Sequence, residues 1–248
     1  MVKQIDVMRK REDITADFIE IISERTKKFT DPPITAIGGY ALRAYVPFRR
    51  YTRDCDFVIP KTDGWQIDSI SKWFSGKMSE EAFEKREKSG FLRLAINIVH
   101  GNKTANVSID FIEGEVRGRK DGQLILIDRK FIENRKDATL LIGSKEIKTF
   151  VPDYTDYLIL KIVSSRPSDV RDIVALVWKR GIPENIGKRL EEIVPESAIF
   201  EKNIKEIIIP RISDEQFVNS WRGTFVTTEF NENVKEDVLK EIRKLAEE

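Results

Sequence analysis

The chain has very little of the residues that carry out much of enzyme chemistry. Among 248 residues there is one cysteine, Cys55, and one histidine, His100. A disulfide framework needs a second cysteine, and a structural zinc site needs about four Cys or His ligands. A Cys–His or Ser–His catalytic pair within one chain is almost excluded for the same reason. Chemistry in this protein is therefore expected to depend on carboxylates, Lys or Arg, hydroxyl groups or a bound metal ion.

Long apolar runs and an excess of one charge are also lacking. The runs YLILKIV and IIIP are far shorter than the roughly 20 residues that span a bilayer, and the N-terminal stretch MVKQIDVMRKREDITADF has no apolar signal segment. The 43 Lys and Arg residues nearly balance the 42 Asp and Glu residues, which leaves a formal net charge of +1. We expect a cytoplasmic protein without membrane association, and the net charge gives no argument for nucleic-acid binding.

The apolar periodicity predicts a mixed α/β half followed by a helical half. An amphipathic helix is expected over residues 13–29, then the short buried strand ITAI, a Gly-Gly turn and a short helix. FLRLAINIV and TANVSIDFI alternate around the turn HGNK, which is typical of an antiparallel hairpin. The charged segment EEAFEKREK is predicted to be helical.

Later strands are expected in QLILID, ATLLIG and EIKTFV, and helices from Asp153 onward. The predicted helices carry the sequences YTDYLILKIVSS, SDVRDIVALVWKR, ENIGKRLEEIV, EQFVNSWRG and VKEDVLKEIRKLAEE. Residues 1–150 are therefore predicted to form an α/β (α+β, mixed-sheet) domain with an N-terminal helix. Residues 151–248 are predicted to form a helical C-terminal lobe.

Two aspartates lie in an otherwise apolar strand, RDCDFVI. Residues i and i+2 of a strand share a face, so Asp54 and Asp56 are expected to project together while Cys55 points to the other side. Asp110 lies in a similar strand, VSIDFI, which can lie beside the first. Three neighbouring carboxylates repel one another unless a cation lies among them, and Mg²⁺ prefers oxygen ligands. The alternative is an edge-strand charge pair.

Gly38 and Gly39 lie between a predicted strand and a predicted helix. Glycines there leave backbone N–H groups unobstructed at the positive end of a helix dipole, which suits a phosphate group. The alternative is a turn that only requires positive φ. The following loop carries Arg49, Arg50 and Arg53. These are candidates for triphosphate contacts, and a solvated basic loop is the alternative for each of them.

Taken together, these segments resemble a known family signature. GGYALRAYVPFRRYTRDCDFVI, followed by SIDF, is similar to the h-G-[GS] turn, D-h-D strand and third acid of the polymerase-β-type nucleotidyltransferase superfamily. More narrowly, it resembles the AbiEii-type nucleotidyltransferase toxins. VPDYTDYLILKIVSSRPSDVRDIVALVWKRG resembles the helical segment of the same family, so the similarity covers about residues 34–181.

This resemblance implies the mixed-sheet nucleotidyltransferase fold and a set of residue roles. Asp54, Asp56 and Asp110 would be the catalytic residues and would bind Mg²⁺ or Mn²⁺, with Asp110 also activating the acceptor hydroxyl. Gly38 and Gly39 would hold the nucleotide phosphates. The implied activity is transfer of an NMP from an NTP to a hydroxyl group, with release of pyrophosphate.

The toxin resemblance further implies a tRNA 3′ end as the acceptor and an antitoxin protein as a partner, in a toxin–antitoxin or phage-defence system. Another RNA, a protein hydroxyl and a small-molecule alcohol are alternative acceptors. The rival from a different class is a catalytically silent member that binds nucleotide or RNA as a regulator. Three adjacent carboxylates argue against the rival, because a binding module has no need of such a like-charge cluster.

Lys161 interrupts the apolar run LILKIV, where its ammonium group needs an anion or a route to water. By the resemblance it is a catalytic residue that contacts the triphosphate, and the alternative is a lysine that snorkels from the helix edge. Asp169 and Asp172 come early in the next helix, where capping and dipole balance are the favoured interpretation. Asp172, Arg49 and Arg53 are also candidate nucleotide-binding residues.

Basic residues cluster in RGRK, residues 117–120, and in DRKFIENRK, residues 128–136. Such clusters can line a groove for an RNA backbone, and a charge-balanced solvated surface is the favoured alternative. The tryptophans are expected to pack in the core rather than to stack on bases; they are Trp65, Trp73, Trp178 and Trp221.

Overall fold

The structure is a computed structural model that describes residues 4–246. The chain divides into two compact units. The first unit comprises Met1–Ala44, Tyr51–Val116 and Ile127–Pro152, and the second comprises Tyr45–Arg50, Arg117–Leu126 and Asp153–Glu248. The second unit thus includes two short segments that precede the boundary expected near residue 150.

Within residues 4–246, every strand precedes residue 152, and only helices follow it. The helices are α1 (Gln4–Arg25), α2 (Gly38–Ala41), α3 (Ile67–Trp73), α4 (Arg129–Glu133), α5 (Tyr154–Ser164), α6 (Pro167–Arg180), α7 (Ile186–Ile193), α8 (Ala198–Asn203), α9 (Ile209–Ile212), α10 (Phe217–Phe225) and α11 (Glu232–Leu245), with a 3₁₀ turn at Leu42–Ala44 and a π-helical segment at Ile204–Ile208. The strands are β1 (Thr35–Ile37), β2 (Asp54–Ile59), β3 (Ser79–Lys85), β4 (Gly90–His100), β5 (Lys103–Glu113), β6 (Glu115–Arg117), β7 (Leu124–Leu126), β8 (Lys136–Ile142) and β9 (Lys145–Val151).

The first unit is built on a five-stranded mixed sheet with the order β1-β2-β5-β4-β3. The central strands β2 and β5 run parallel, and the other neighbouring strands of this sheet run antiparallel. β8 and β9 form a separate hairpin. The predicted fold class, a mixed-sheet α/β half followed by a helical C-terminal lobe, is confirmed.

One face of the main sheet carries the hydrophobic core of the first unit. The rings of Phe57 on β2 and Phe111 on β5 stack with centroids 5.7 Å apart. Phe74, which follows α3, lies 6.3 Å from Phe111, and Phe18 of α1 lies 5.7 Å from Phe74. Because successive strand residues point to opposite faces, the residues next to Phe57 and Phe111 in sequence project from the other side of the sheet.

The β4–β5 hairpin forms as the alternation predicts, with His100 paired to Lys103 across the turn. The segment EEAFEKREK, in contrast, is not helical, because residues 79–85 form β3 and pair with β4. Glu and Lys favour helices on their own, but the backbone pairing offered by β4 outweighs that preference. The charged side chains of this edge strand are exposed, which discourages pairing with further strands.

The first helix also differs from its predicted bounds. α1 begins at Gln4 rather than at residue 13, and it ends at Arg25 rather than at Phe29. Lys27, Lys28 and Phe29 have positive φ angles, which a helix cannot continue through.

The second unit has an aromatic core formed by its helices and by the segment 45–50. Phe48 stacks on Trp178 with centroids 5.2 Å apart and meets Trp221 edge-on at 5.4 Å. Trp221 is fully buried and packs on Phe230 at 4.4 Å. Trp178 and Trp221 thus pack in the core as expected.

The helices after residue 153 follow the predicted pattern, with one addition. α8, the π-helical segment and α9 cover a stretch for which the periodicity predicted no helix. The last two residues of the predicted C-terminal helix, Glu247 and Glu248, lie outside the described residues. Across residues 4–246, none of the helices combines the length and the apolar character needed to cross a bilayer.

Candidate active site

Three carboxylates of the first unit lie on the face of the main sheet that is opposite its aromatic core. The parallel register of β2 and β5 places Asp56 beside Asp110 and Asp54 beside Ser108. Asp54 and Asp56 are partly exposed, whereas Asp110 is buried. The structure therefore brings together the three aspartates that the sequence predicts as neighbours, and we call this set the acidic face.

Two neighbouring side chains hold these carboxylates in place. The Ser108 hydroxyl donates to Asp54 Oδ1 over 2.6 Å. Arg93 on β4 donates from Nε to Asp110 Oδ1 over 2.8 Å and from Nη2 to Asp110 Oδ2 over 2.6 Å. This bidentate pair raises the pKa of the Arg93 guanidinium, although partial burial acts against it. Both oxygens of Asp110 are therefore engaged by one guanidinium group.

Arg93 and Ser108 are absent from the residues predicted by sequence, although a signal for Arg93 exists. The hairpin pairs His100 with Lys103, so counting outward residue by residue pairs Arg93 with Asp110. A single basic residue in the apolar alternation FLRLAIN, at the position opposite the buried acid, is enough to indicate the ion pair.

Gly38 lies close to Asp56 of the acidic face and has a positive φ angle. Its φ angle is +65°, and a Cβ atom at this position would lie 2.0 Å from Asp56 Oδ2. The turn interpretation of Gly38 therefore holds, and the missing side chain also allows the backbone to approach Asp56. α2 contains only four residues, so its dipole is small. The phosphate-binding roles of Gly38 and Gly39 stay predictions.

The chemistry of the acidic face fits a magnesium ion. The ligand atoms that the acidic face offers are carboxylate oxygens. Asp54 and Asp56 are the residues that would hold the ion, and substrate oxygens and water would complete its coordination. Within the part of the chain that the structure describes, no group of three or more His, Cys, Asp or Glu side chains is arranged to hold a metal ion. Asp110 is bound by Arg93. Metal binding by Asp110 therefore stays a prediction.

Lys161 and Asp172 lie in the second unit, where they belong to a buried ion network. Lys161 Nζ lies 2.8 Å from Asp169 Oδ1 and 2.8 Å from Asp172 Oδ2. Arg50 donates from Nε and Nη2 to the two oxygens of Asp172, over 2.7 Å each. Lys161 is 5% exposed and Asp172 is fully buried. The network thus balances two cations against two carboxylates.

The pKa directions of Lys161 and Asp169 favour the charged form of each group. Burial acts to lower the pKa of Lys161, but the charges of Asp169 and Asp172 outweigh it and the pKa is raised. Burial acts to raise the pKa of Asp169, but Lys161 and the Ser164 hydroxyl outweigh it and the pKa is lowered. The snorkelling interpretation of Lys161 is therefore wrong, because its ammonium group is buried among carboxylates.

The two early acids of α6 have different roles. Asp169 accepts a hydrogen bond from the Arg166 backbone N–H over 3.2 Å, so it caps the helix as the sequence predicts. Asp172 instead accepts from Lys161 and Arg50, which corrects the capping interpretation for this residue. A triphosphate contact by Lys161, which stays a prediction, would require its ammonium group to exchange these carboxylate partners.

Arg49 and Arg53 are exposed, and their triphosphate roles stay predictions. Arg50, from the same loop, is paired with Asp172. The candidate residues are thus divided between the two units: Gly38, Gly39, Arg53, Asp54, Asp56 and Asp110 belong to the first, and Arg49, Arg50, Lys161 and Asp172 to the second.

Comparison with known proteins gives weak similarities. No family model and no curated protein match the chain. The structure described as "Crystal structure of putative nucleotidyltransferase from H. pylori" is 10% identical, with a TM-score of 0.47 over 93% of this chain and 94% of that one. "Crystal structure of JHP933 from Helicobacter pylori" is 11% identical, with a TM-score of 0.46 over 92% of this chain and 91% of that one. Similarity at these values assigns no activity to this chain.

Proposed function

We propose that the protein is a metal-dependent nucleotidyltransferase that moves an NMP from an NTP to a hydroxyl acceptor and releases pyrophosphate. The observation that carries this proposal is the register of β2 and β5, which places Asp54, Asp56 and Asp110 on one face of the sheet, with Gly38 against Asp56. A glycine turn, two alternate acids and a third acid on a neighbouring strand are the features implied by the sequence resemblance.

Each residue of the acidic face has a proposed role. Asp54 and Asp56 would hold Mg²⁺ or Mn²⁺, and the chemistry that such an ion supplies when bound is charge neutralisation at the transferred phosphoryl group. Asp110 would orient the acceptor hydroxyl and accept its proton. Arg93 fixes the Asp110 carboxylate through two hydrogen bonds, so that this group is positioned before substrate binds.

The finer proposal concerns the acceptor. We propose a tRNA 3′ end, a toxin-like role and an antitoxin partner. These three points rest on the similarity of residues 36–59 and 151–181 to the AbiEii-type toxins. Protein and small-molecule hydroxyl groups are the competing acceptors, and a labelling experiment separates them.

The test uses α-³²P-labelled NTPs with Mg²⁺, offered together with total tRNA and separately with total protein. Wild-type protein is expected to label tRNA. Asp56→Ala is expected to reduce labelling by at least about 100-fold, because it removes a proposed ligand of the metal ion that would neutralise charge at the transferred phosphoryl group. Asp63→Ala removes an exposed aspartate of the same unit and serves as the matched control. Full activity of Asp56→Ala would disprove the site, and label on protein alone would reassign the acceptor.

The second candidate function is a catalytically silent nucleotide-binding regulator. The bidentate hold of Arg93 on Asp110 favours it, because a guanidinium group occupies both oxygens of the acid that would activate the acceptor. Thermal stabilisation by NTP and Mg²⁺, without transfer to tRNA, protein or small alcohols, would identify this function instead.

A further inference from the structure

A cavity in the helical unit has the composition of a phosphate-binding site. It has a volume of about 460 Å³ and opens at the turn between α5 and α6. All of its lining residues belong to the second unit. Its charged lining residues are Arg119, Lys120, Arg166, Arg211, Glu206 and Asp214.

The four basic side chains of the cavity are exposed at its rim. Within residues 4–246, none of them forms a salt bridge. The charge of Arg166 also helps to lower the pKa of Asp169, and the charges of the other three are available to a ligand. Asp214 accepts a hydrogen bond from the backbone N–H of Gln216, which partly satisfies one of the two opposing acids. Arg119 and Lys120 come from the basic motif RGRK, which the acidic face of the first unit does not use.

The N-terminus of a long helix adds to this positive character. α6 has 14 residues and begins at Pro167, beside the cavity. The first backbone N–H groups of a helix have no intrahelical acceptor and lie at the positive end of its dipole, where phosphate groups bind. Asp169 lies at the same end, but Lys161 balances its charge.

Ser165 gives an independent indication of a ligand. It lines the cavity and is 5% exposed, and its buried hydroxyl oxygen has no hydrogen-bond partner among residues 4–246. Its backbone is held at φ +42°, in the left-handed region. A buried hydroxyl group without a partner costs free energy. A ligand oxygen that accepts a hydrogen bond from the Ser165 hydroxyl would explain why this buried group lies beside a cluster of cations.

We infer that this cavity binds a phosphate group, carried either by a free phosphorylated molecule or by an RNA backbone. The Ser165 hydroxyl donates a hydrogen bond to it, the positive end of the α6 dipole lies beside it, and Arg166 and Arg211 provide the opposing charge. Because the site consists of second-unit residues alone, it does not rest on the proposed transferase activity.

Isothermal titration calorimetry in EDTA tests this site with two probes, sodium pyrophosphate and a short oligoribonucleotide without a 5′ phosphate. Two charge-assisted contacts are lost in the double variant Arg166→Gln/Arg211→Gln, so the affinity for the bound probe is expected to fall by roughly tenfold or more. The loss should grow as salt is lowered, since the interaction is electrostatic.

Ser165→Gly provides the second variant. Glycine accepts the positive φ angle, so the turn should stay folded while the hydroxyl is removed, and affinity is expected to fall by roughly threefold or more. Lys202→Gln removes an exposed charge of the same unit outside the cavity and should bind like wild type, as should Asp56→Ala.

The probe that binds identifies the source of the phosphate group. Pyrophosphate binding alone indicates a free phosphorylated molecule, and oligonucleotide binding indicates an RNA backbone. Failure of both probes to bind wild type would overturn the site. Unchanged affinity in the double variant, or loss of binding in Asp56→Ala only, would overturn it equally, whatever the outcome of the transfer assay.

Discussion

At the residue scale, the acidic face depends on two positions that carry no carboxylate. Gly38 lets the backbone approach Asp56, and Arg93 engages both oxygens of Asp110. Gly38 limits where the Asp56 carboxylate can lie. Arg93 compensates part of the negative charge of the acidic face. Both act before any ligand binds.

Gly38→Ala should damage the acidic face without affecting the core of the sheet. The new Cβ would meet Asp56 Oδ2 at 2.0 Å, and the residue is held at φ +65°. We expect a loss of about 1 kcal/mol or more in the free energy of unfolding, together with the loss of any Mg²⁺-dependent stabilisation. Urea denaturation with and without Mg²⁺ measures both quantities.

Gly64→Ala is the matched control, because a Cβ at Gly64 meets no atom of the described part of the chain within 4 Å. Equal stabilities of the two alanine variants would contradict the close approach of Gly38 to Asp56.

At the scale of elements, α5 and α6 are joined by buried charge rather than by apolar contacts alone. Lys161 on α5 binds Asp169 and Asp172 on α6, and Arg50 completes the network. Breaking a buried pair by removing one partner is costly, because the remaining charge loses its compensation. The network therefore ties the chemistry of this region to the stability of the second unit.

Lys161→Met tests the network. At pH 7 we expect a loss of roughly 3–5 kcal/mol in the free energy of unfolding, since both acids stay buried without the ammonium group, Asp172 with Arg50 and Asp169 with the Ser164 hydroxyl and the Arg166 N–H. The exposed Lys202→Met should change stability by less than about 0.5 kcal/mol. Urea denaturation followed by tryptophan fluorescence compares the two variants.

The difference in the free energy of unfolding between wild type and Lys161→Met depends on pH with a defined sign. The folded pKa of Asp169 is lowered, so its contribution is present above the unfolded value near 3.9 and is lost as pH falls through the folded value. The folded pKa of Lys161 is raised, so its contribution is lost only as pH rises through the folded value. The gap between wild type and Lys161→Met should therefore narrow as pH falls below about 5, where the unpaired acid can protonate. A stability difference that widens in acid would contradict the charged pairing of Lys161 with Asp169.

At the scale of the whole molecule, the second unit is assembled from segments that are distant in sequence. The segment Tyr45–Arg50 contributes Phe48 to the aromatic core and Arg50 to the ion network. Tyr45 stacks on Tyr157 with centroids 5.4 Å apart. A helical lobe cut at the boundary predicted from sequence would lack all three side chains.

A fragment of residues 153–248 should consequently be less ordered than the same residues in the full chain. Loss of Phe48 alone is expected to cost about 3–5 kcal/mol, because it removes a large buried aromatic side chain. Hydrogen exchange of α5 and α6 amides, compared among the fragment, the full chain and full-length Phe48→Ala, measures the effect. Protection in the fragment equal to that in the full chain would show that the segment 45–50 is dispensable.

Local sequence patterns account for the features that depend on neighbouring residues. The alternation around HGNK predicts the β4–β5 hairpin, and the spacing of Asp54 and Asp56 predicts that they share a face of β2. The helices α5, α6, α7, α10 and α11 follow from their apolar periodicity, whereas α8 and α9 do not. Even the pairing of Arg93 with Asp110 can be read by counting outward from the turn. In each case the periodicity of the backbone carries the information over a short stretch.

Features that join distant parts of the chain depend on contacts formed in the folded protein. EEAFEKREK becomes β3 because β4 offers it backbone partners, against the helix preference of Glu and Lys. Asp172, expected as a helix cap, becomes the centre of an ion network because Arg50, 122 positions away, reaches it. Ser165 becomes a candidate phosphate ligand only because folding places the turn between α5 and α6 beside the basic residues of the cavity. Such contacts depend on which surfaces are brought together in folding, and local periodicity carries no record of that.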